Sequence, residues 1–191
     1  MKSYSISPKE LNLSQLRNGY QGMIPAIGEL LCEASAFCFA DQLHESGIEL
    51  KVGGVNRSFY VCWDSKITDQ TRSSFADRDE VTEYGAVGVA ILLILEIENE
   101  LTIVSRSAKG TGFDYWLGKK EQQLPFSMGA ARLEISGIMA RNKTNTIKRR
   151  LEIKQKQTKQ SDASRLPAYI VIVEFSVPES HIAARYFDVE N

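Results

Sequence analysis

Three acidic residues stand where an acid needs a reason. Glu83 interrupts an otherwise apolar stretch. Asp114 lies between aromatics in Gly112-Phe113-Asp114-Tyr115-Trp116, and Glu134 lies in Arg132-Leu133-Glu134-Ile135-Ser136-Gly137. Read as strands, these last two segments alternate: Asp114 faces away from Phe113 and Tyr115, and Glu134 shares a face with Arg132 and Ser136, opposite Leu133 and Ile135. A buried carboxylate is costly without a cationic partner or a metal. Carboxylates on neighbouring strands can hold one hard divalent cation. Mg2+ (or Mn2+) takes oxygen ligands and keeps waters that a substrate phosphate can replace. Such an ion neutralises charge on a phosphodiester and lowers the pKa of its water. Simple pairing is open to the same residues: Glu134 with Arg132, and Asp114 with Lys119 or Arg106.

A second feature concerns charge. Residues 141–160 carry Arg141, Lys143, Lys148, Arg149, Arg150, Lys154, Lys156 and Lys159 against the single acid Glu152, whereas residues 64–98 carry eight acids and three basics. The chain is nearly neutral overall, with 23 Lys and Arg against 24 Asp and Glu, yet its charge is segregated. A basic helix beside a carboxylate cluster suits a phosphodiester: the basics attract the backbone and position it without reading sequence. The same pattern also fits a solvated helix face. Lys119 and Lys120 extend the basic rim.

These residues need elements to hold them. Apolar residues at three- and four-residue steps predict a helix from Pro25 to about Ser46, closed by Gly47. GIELKVGG and RSFYVCWD read as a hairpin turned by GGVN. Residues 64–80 are polar and read as a connection. A helix from about Arg78 to Glu98 follows, nearly all apolar after Tyr84. Strands are expected in ELTIVSRSAKG, GFDYWLGKK and AARLEISGIMA, with EQQLPFSMG as a loop. A polar helix is expected from Asn145 to Gln160, then a strongly β-prone strand in PAYIVIVEFSVP and a short helix in the tail ESHIAARYFDVEN. The class is α/β: a mixed central β-sheet flanked by helices, three strands as a meander and a fourth reached by a right-handed crossover. Residues 1–64 form an N-terminal helix plus β-hairpin extension of the same domain or a partner surface, and residues 65–191 form the core.

From Arg78 onward, the order helix with acid, strand, strand with Asp, strand with Glu, polar helix, strand resembles the core of the PD-(D/E)xK nuclease superfamily, the restriction-endonuclease-like fold. The match covers about residues 78–176, and KGTGFDYW resembles the glycine-containing approach to that family's strand aspartate. The resemblance implies a Mg2+-dependent endonuclease in which Glu83, Asp114 and Glu134 bind the metal. The family's lysine two residues after the strand glutamate is replaced here by Ser136, which cannot supply its charge. Some members carry the lysine on the following helix, and Lys154 is the residue expected to take that role, with Gln155 and Gln157 as neighbours able to reach phosphate. The implied partner is nucleic acid, with DNA favoured. Arg149, Arg150, Lys154, Lys156 and Lys119 are the expected contacts. A homodimer or a subunit of a larger restriction or antiviral-defence complex is a setting that fits by resemblance. The alternative is a catalytically inactive nuclease-fold subunit that binds nucleic acid or protein partners.

Composition limits the competing chemistry. With 43% hydrophobic and 25% charged residues, 191 residues can bury one core. Three cysteines, Cys32, Cys38 and Cys62, cannot form a full disulfide set and include no CxxC pair, so they read as reduced cytoplasmic thiols. No P-loop is present, and His44 and His181 lack a partner cysteine in context. The first residues contain no apolar signal core, and the longest apolar run, Gly85 to Leu95, is far short of a bilayer span of roughly 20 residues.

Overall fold

A computed structural model describes residues 8–120 and 130–187. Eight strands form one mixed sheet: β1 (Lys9–Asn12), β2 (Ile48–Gly53), β3 (Arg57–Cys62), β4 (Leu101–Arg106), β5 (Tyr115–Lys119), β6 (Ala131–Ile138), β7 (Ala168–Glu174) and β8 (Glu179–Arg185). Their spatial order is β1-β3-β2-β8-β7-β6-β5-β4. The expected meander is there as the antiparallel run β4-β5-β6, and β7 returns parallel to β6. The N-terminal hairpin joins the same sheet, because β2 pairs in parallel with β8.

Among the described residues four α-helices accompany the sheet: α1 (Pro25–Asp41), α2 (Asp69–Ser74), α3 (Arg78–Ile97) and α4 (Ile147–Thr158). Strand alternation sorts them. Leu133 and Ile135 of β6 and Tyr169, Val171 and Val173 of β7 enter the large core shared with α1 and α3. Ile170 and Ile172 point the other way and meet Ile147 and Leu151 of α4. The polar residues Arg132, Glu134 and Ser136 of β6 fall on that second face, and all are buried.

Several expectations need correction. Helix α1 stops at Asp41 rather than near Ser46; Leu43 takes a left-handed backbone with φ 64° and lies exposed outside the apolar stripe. His44 is therefore in a turn, where its Nε2 meets the Phe175 carbonyl at 2.9 Å. The segment 64–80 contains α2, started by a capping box of Thr68 and Thr71. Glu179–Arg185 of the tail is a strand, not a short helix: Ser180 and Ile182 alternate inward and β8 zips along the whole of β7, and residues 188–191 lie outside the described residues. Asp114 immediately precedes β5 instead of lying within it. The loop predicted at 121–129 lies outside the described residues. No helix among those described is long and apolar enough to cross a membrane.

Candidate active site

The site begins with a partner exchange on β6. Strand β5 pairs with β6 from Ala131 to Leu133. Before that pairing starts, the Asp114 N–H donates to the Leu133 carbonyl at 2.8 Å, and the Asp114 carboxylate Oδ2 accepts from the Ile135 N–H at 2.8 Å. A side chain thus replaces the backbone acceptor of a strand that has turned away. The Ser107 N–H donates to the Asp114 carbonyl at 2.8 Å, so this residue is held from three directions.

Helix α4 supplies the opposite wall through a match of repeats. Four helical residues advance about 6 Å and two strand residues about 6.6 Å. Thr158, Lys154 and Arg150 therefore address β6 in step with Arg132, Glu134 and Ser136. The Thr158 carbonyl accepts from Arg132 Nη1 at 3.2 Å, and Lys154 Nζ pairs with Glu134 Oε1. Arg150 lines the same cleft as Ser136. Ile147 and Leu151, on the adjacent side of α4, seal this register against Ile170 and Ile172.

The resulting cleft has a volume of about 380 Å³. Asp114, Lys154, Arg106, Arg150, Asp79 and Glu83 are among its walls. Gly137 sits at its floor because α3 crosses there: a Cβ on Gly137 would lie 2.5 Å from the Thr82 carbonyl oxygen. That crossing brings the first turns of α3 to the rim.

Glu134 lies beneath the cleft, 1% exposed. Burial pushes its carboxyl up to about 7, the Asp114 charge adds to the rise, and the Lys154 hydrogen bond and charge pull the other way. Its second oxygen, Oε2, is buried beside the Asp114 carboxylate: protonated, it can donate to Asp114, and ionised, it has no donor to accept from. An orphaned buried carboxylate oxygen is an expensive feature for a fold to keep.

Asp114, Glu134 and Lys154 thus meet, and Glu83 reaches the same cleft but from the exposed rim. Its helix is buried on most sides, yet Glu83 itself faces solvent, so burial is not what demands a partner for it. Among the described residues no group of three or more His, Cys, Asp and Glu is placed to hold a metal ion. Arg149 and Lys156 are exposed on α4 and do not line the cleft, and Lys119 is exposed at the far end of β5 from Asp114. Arg150 lines it, with its Nε donating to Asn145 Oδ1 at 2.7 Å.

Arg132 does not pair with Glu134. It is fully buried and turns toward the segment after α4, donating to the Leu166 carbonyl at 2.7 Å and to Ser161 Oγ at 2.6 Å, with Asp162 at 3.5 Å. That leaves Glu134 to Lys154. Asp114 takes the Ile135 N–H in place of the pairing with Lys119 or Arg106 that its sequence allowed. Trp116 is half-buried and packs edge to face on Phe113 at 4.5 Å.

Of the charged residues that line the cleft, Asp79 was not expected, whereas Arg106 was named from the sequence as a partner of Asp114. Asp79 stands one helical turn before Glu83, a spacing legible in the sequence. Arg106 reaches the cleft because β4 pairs it with Tyr115, next to Asp114. Comparison with family models, curated proteins and solved structures found no match for this chain.

Proposed function

We propose that this protein is a nuclease of restriction-endonuclease-like architecture, hydrolysing nucleic-acid phosphodiesters, DNA first, in the cytoplasm with Mg2+ or Mn2+. The observation that carries the reading is the Lys154–Glu134 pair beside Asp114. The lysine that the strand lacks at Ser136 is supplied by the next helix, at the same carboxylate.

The residues fit a divalent cation on one specific count: Glu134 Oε2 is buried and, when ionised, unsatisfied, next to a second carboxylate that opens on a cleft. Asp114 and Glu134 would hold the ion. Bound there, it would supply charge neutralisation and a more acidic water. The chain's own groups do the rest. Lys154 holds an ammonium proton at Glu134 and can present it to phosphate or water. Arg106 and Arg150 attract and orient the diester with charge-assisted hydrogen bonds. The Ile135 N–H fixes the Asp114 carboxylate, so little reorganisation is left for the reacting complex. Glu83 and Asp79, at the rim, can reach the ion only from the solvent side.

Incubation of the purified protein with Mg2+ and linear, circular and single-stranded DNA tests the assignment. Cleavage by the wild type and a loss of about a hundredfold or more in Asp114→Ala are expected. Equal cleavage by Asp114→Ala would overturn it.

A second reading has its own observation. Lys154 already neutralises Glu134, and no three-acid group accompanies the pair among the described residues. A non-catalytic subunit of a larger defence assembly, or of a homodimer, would keep the fold and the basic helix in this state. Calorimetry separates the two: heat on Mn2+ addition that disappears in Glu134→Gln favours the enzyme, and no heat with DNA present favours the subunit.

A further inference from the structure

Asp114 and Arg106 belong to two clefts at once. Beyond the candidate site a second cleft, of about 500 Å³, continues over the turn between β4 and β5 to the last turn of α4. Its walls include Ser107 and Lys109 from the turn and Gln157 and Gln160 from the end of α4 and the 3-10 segment behind it. Among the described residues, Asp114 is the only acid that lines it. The other polar side chains are two cations, two amides and a hydroxyl, a donor-rich set, with Ala108 and Phe113 as the apolar side chains beside them.

The two walls are locked together. Gly112 has φ 82°, and a Cβ there would lie 2.5 Å from the Gln157 carbonyl oxygen, so the turn rests directly on α4. Within the turn, Ser107 Oγ and Thr111 Oγ1 share a hydrogen bond of 2.5 Å, and Thr111 Oγ1 donates to the Ala108 carbonyl at 2.9 Å. Arg106 stands at the boundary. Its Nη1 donates to Tyr115 Oη at 3.1 Å, and its guanidinium lies 5.3 Å from the Tyr115 ring centroid. A cleft with preset walls spends little ordering entropy on its ligand.

We infer that this second cleft seats the phosphodiester next to the one being cut, on the same nucleic-acid strand. Arg106 contacts both phosphates, Lys109 neutralises the outer one, and Gln157 and Gln160 donate to its oxygens or to the sugar. These contacts position the strand and carry no base identity. The inference rests on the nuclease reading and adds to it a direction: the strand runs from Arg150 across Asp114 toward Gln160.

Steady-state cleavage of a labelled oligonucleotide, beside hydrolysis of bis(p-nitrophenyl) phosphate, tests it. The small diester can fill only the first cleft. In Lys109→Glu/Gln160→Ala, both exposed positions, the oligonucleotide KM should rise about tenfold with kcat nearly held. The ratio of kcat/KM on the oligonucleotide to that on the small diester should fall about tenfold. Lys51→Glu, a charge reversal on β2, serves as the control. If the oligonucleotide KM of the double variant matches that of the control, the second cleft does not hold the strand. If the wild type hydrolyses neither substrate, the nuclease reading falls and this inference falls with it.

Discussion

At the scale of single residues, Glu134 is the pivot of the site. Its carboxyl is raised from the ordinary 4.5 to about 7, so the folded protein holds its proton more tightly than the unfolded chain does. Stability from this group is complete below about pH 4.5 and is lost as pH rises through 7. At about 1.4 kcal/mol per pH unit the loss amounts to roughly 3 kcal/mol. Metal-free Glu134→Gln should therefore unfold later than wild type at pH 8, with the gap closing toward pH 4, as read by denaturant titration at each pH. Divalent metal should reverse that order in the wild type, because the ion takes the place of the proton. Lys154→Met should behave oppositely to Glu134→Gln. It leaves a buried charge unpaired, costs about 3 kcal/mol at pH 8 and costs less in acid, where Glu134 is neutral. Glu134 and Asp114 were legible because an acid among apolar and aromatic neighbours demands explanation. Lys154 was legible only through helical spacing and the missing charge at Ser136. The pairing of Arg132 was not: strand alternation puts it on the face of Glu134 but does not say which way a long side chain turns.

At the scale of elements, the site depends on two contacts that contain no functional group. One is the rest of the β4–β5 turn on α4 at Gly112. Gly112→Ala meets both a left-handed backbone and the Gln157 carbonyl, so it should cost about 2 kcal/mol and loosen Asp114. Thermal unfolding reads the first effect, and a fall in activity larger than the stability change explains reads the second. The other is the anchoring of the segment after α4 by Arg132, which ties β6 to Leu166, Ser161 and Asp162. Arg132→Met should destabilise by about 3 kcal/mol, because it orphans buried acceptors, and should loosen α4 on β6 at Thr158. Long periodic elements, α3 and β7, were plain in the sequence. The tail was misread because Ala183 and Ala184 favour helix locally, while the pairing with β7 that decides the matter is non-local. Strand β1 gave no signal, being four residues at the sheet's edge.

At the scale of the whole molecule, charge segregation becomes spatial. Arg106 and Arg150 line the cleft, Lys109 continues it, and Arg149 and Lys156 stand exposed on α4. DNA affinity should fall steeply with salt, by a slope near −0.9 per phosphate neutralised. Arg149→Glu should shallow that slope by about one while leaving the cutting pattern in place. The class of the fold, α/β with a mixed sheet, followed from the order of elements. Its extent did not, because nothing local announces that the N-terminal hairpin joins β8. The central claim is that a lysine from α4 serves the carboxylate that the strand leaves unserved. Its most direct measure is the single-turnover cleavage rate of Lys154→Ala and of Lys154→Ala/Ser136→Lys, with Mg2+. A fall of about a hundredfold is expected in the first and recovery of most of that loss in the second, where the charge returns to the strand. A Lys154→Ala protein that cuts at the wild-type rate would contradict it.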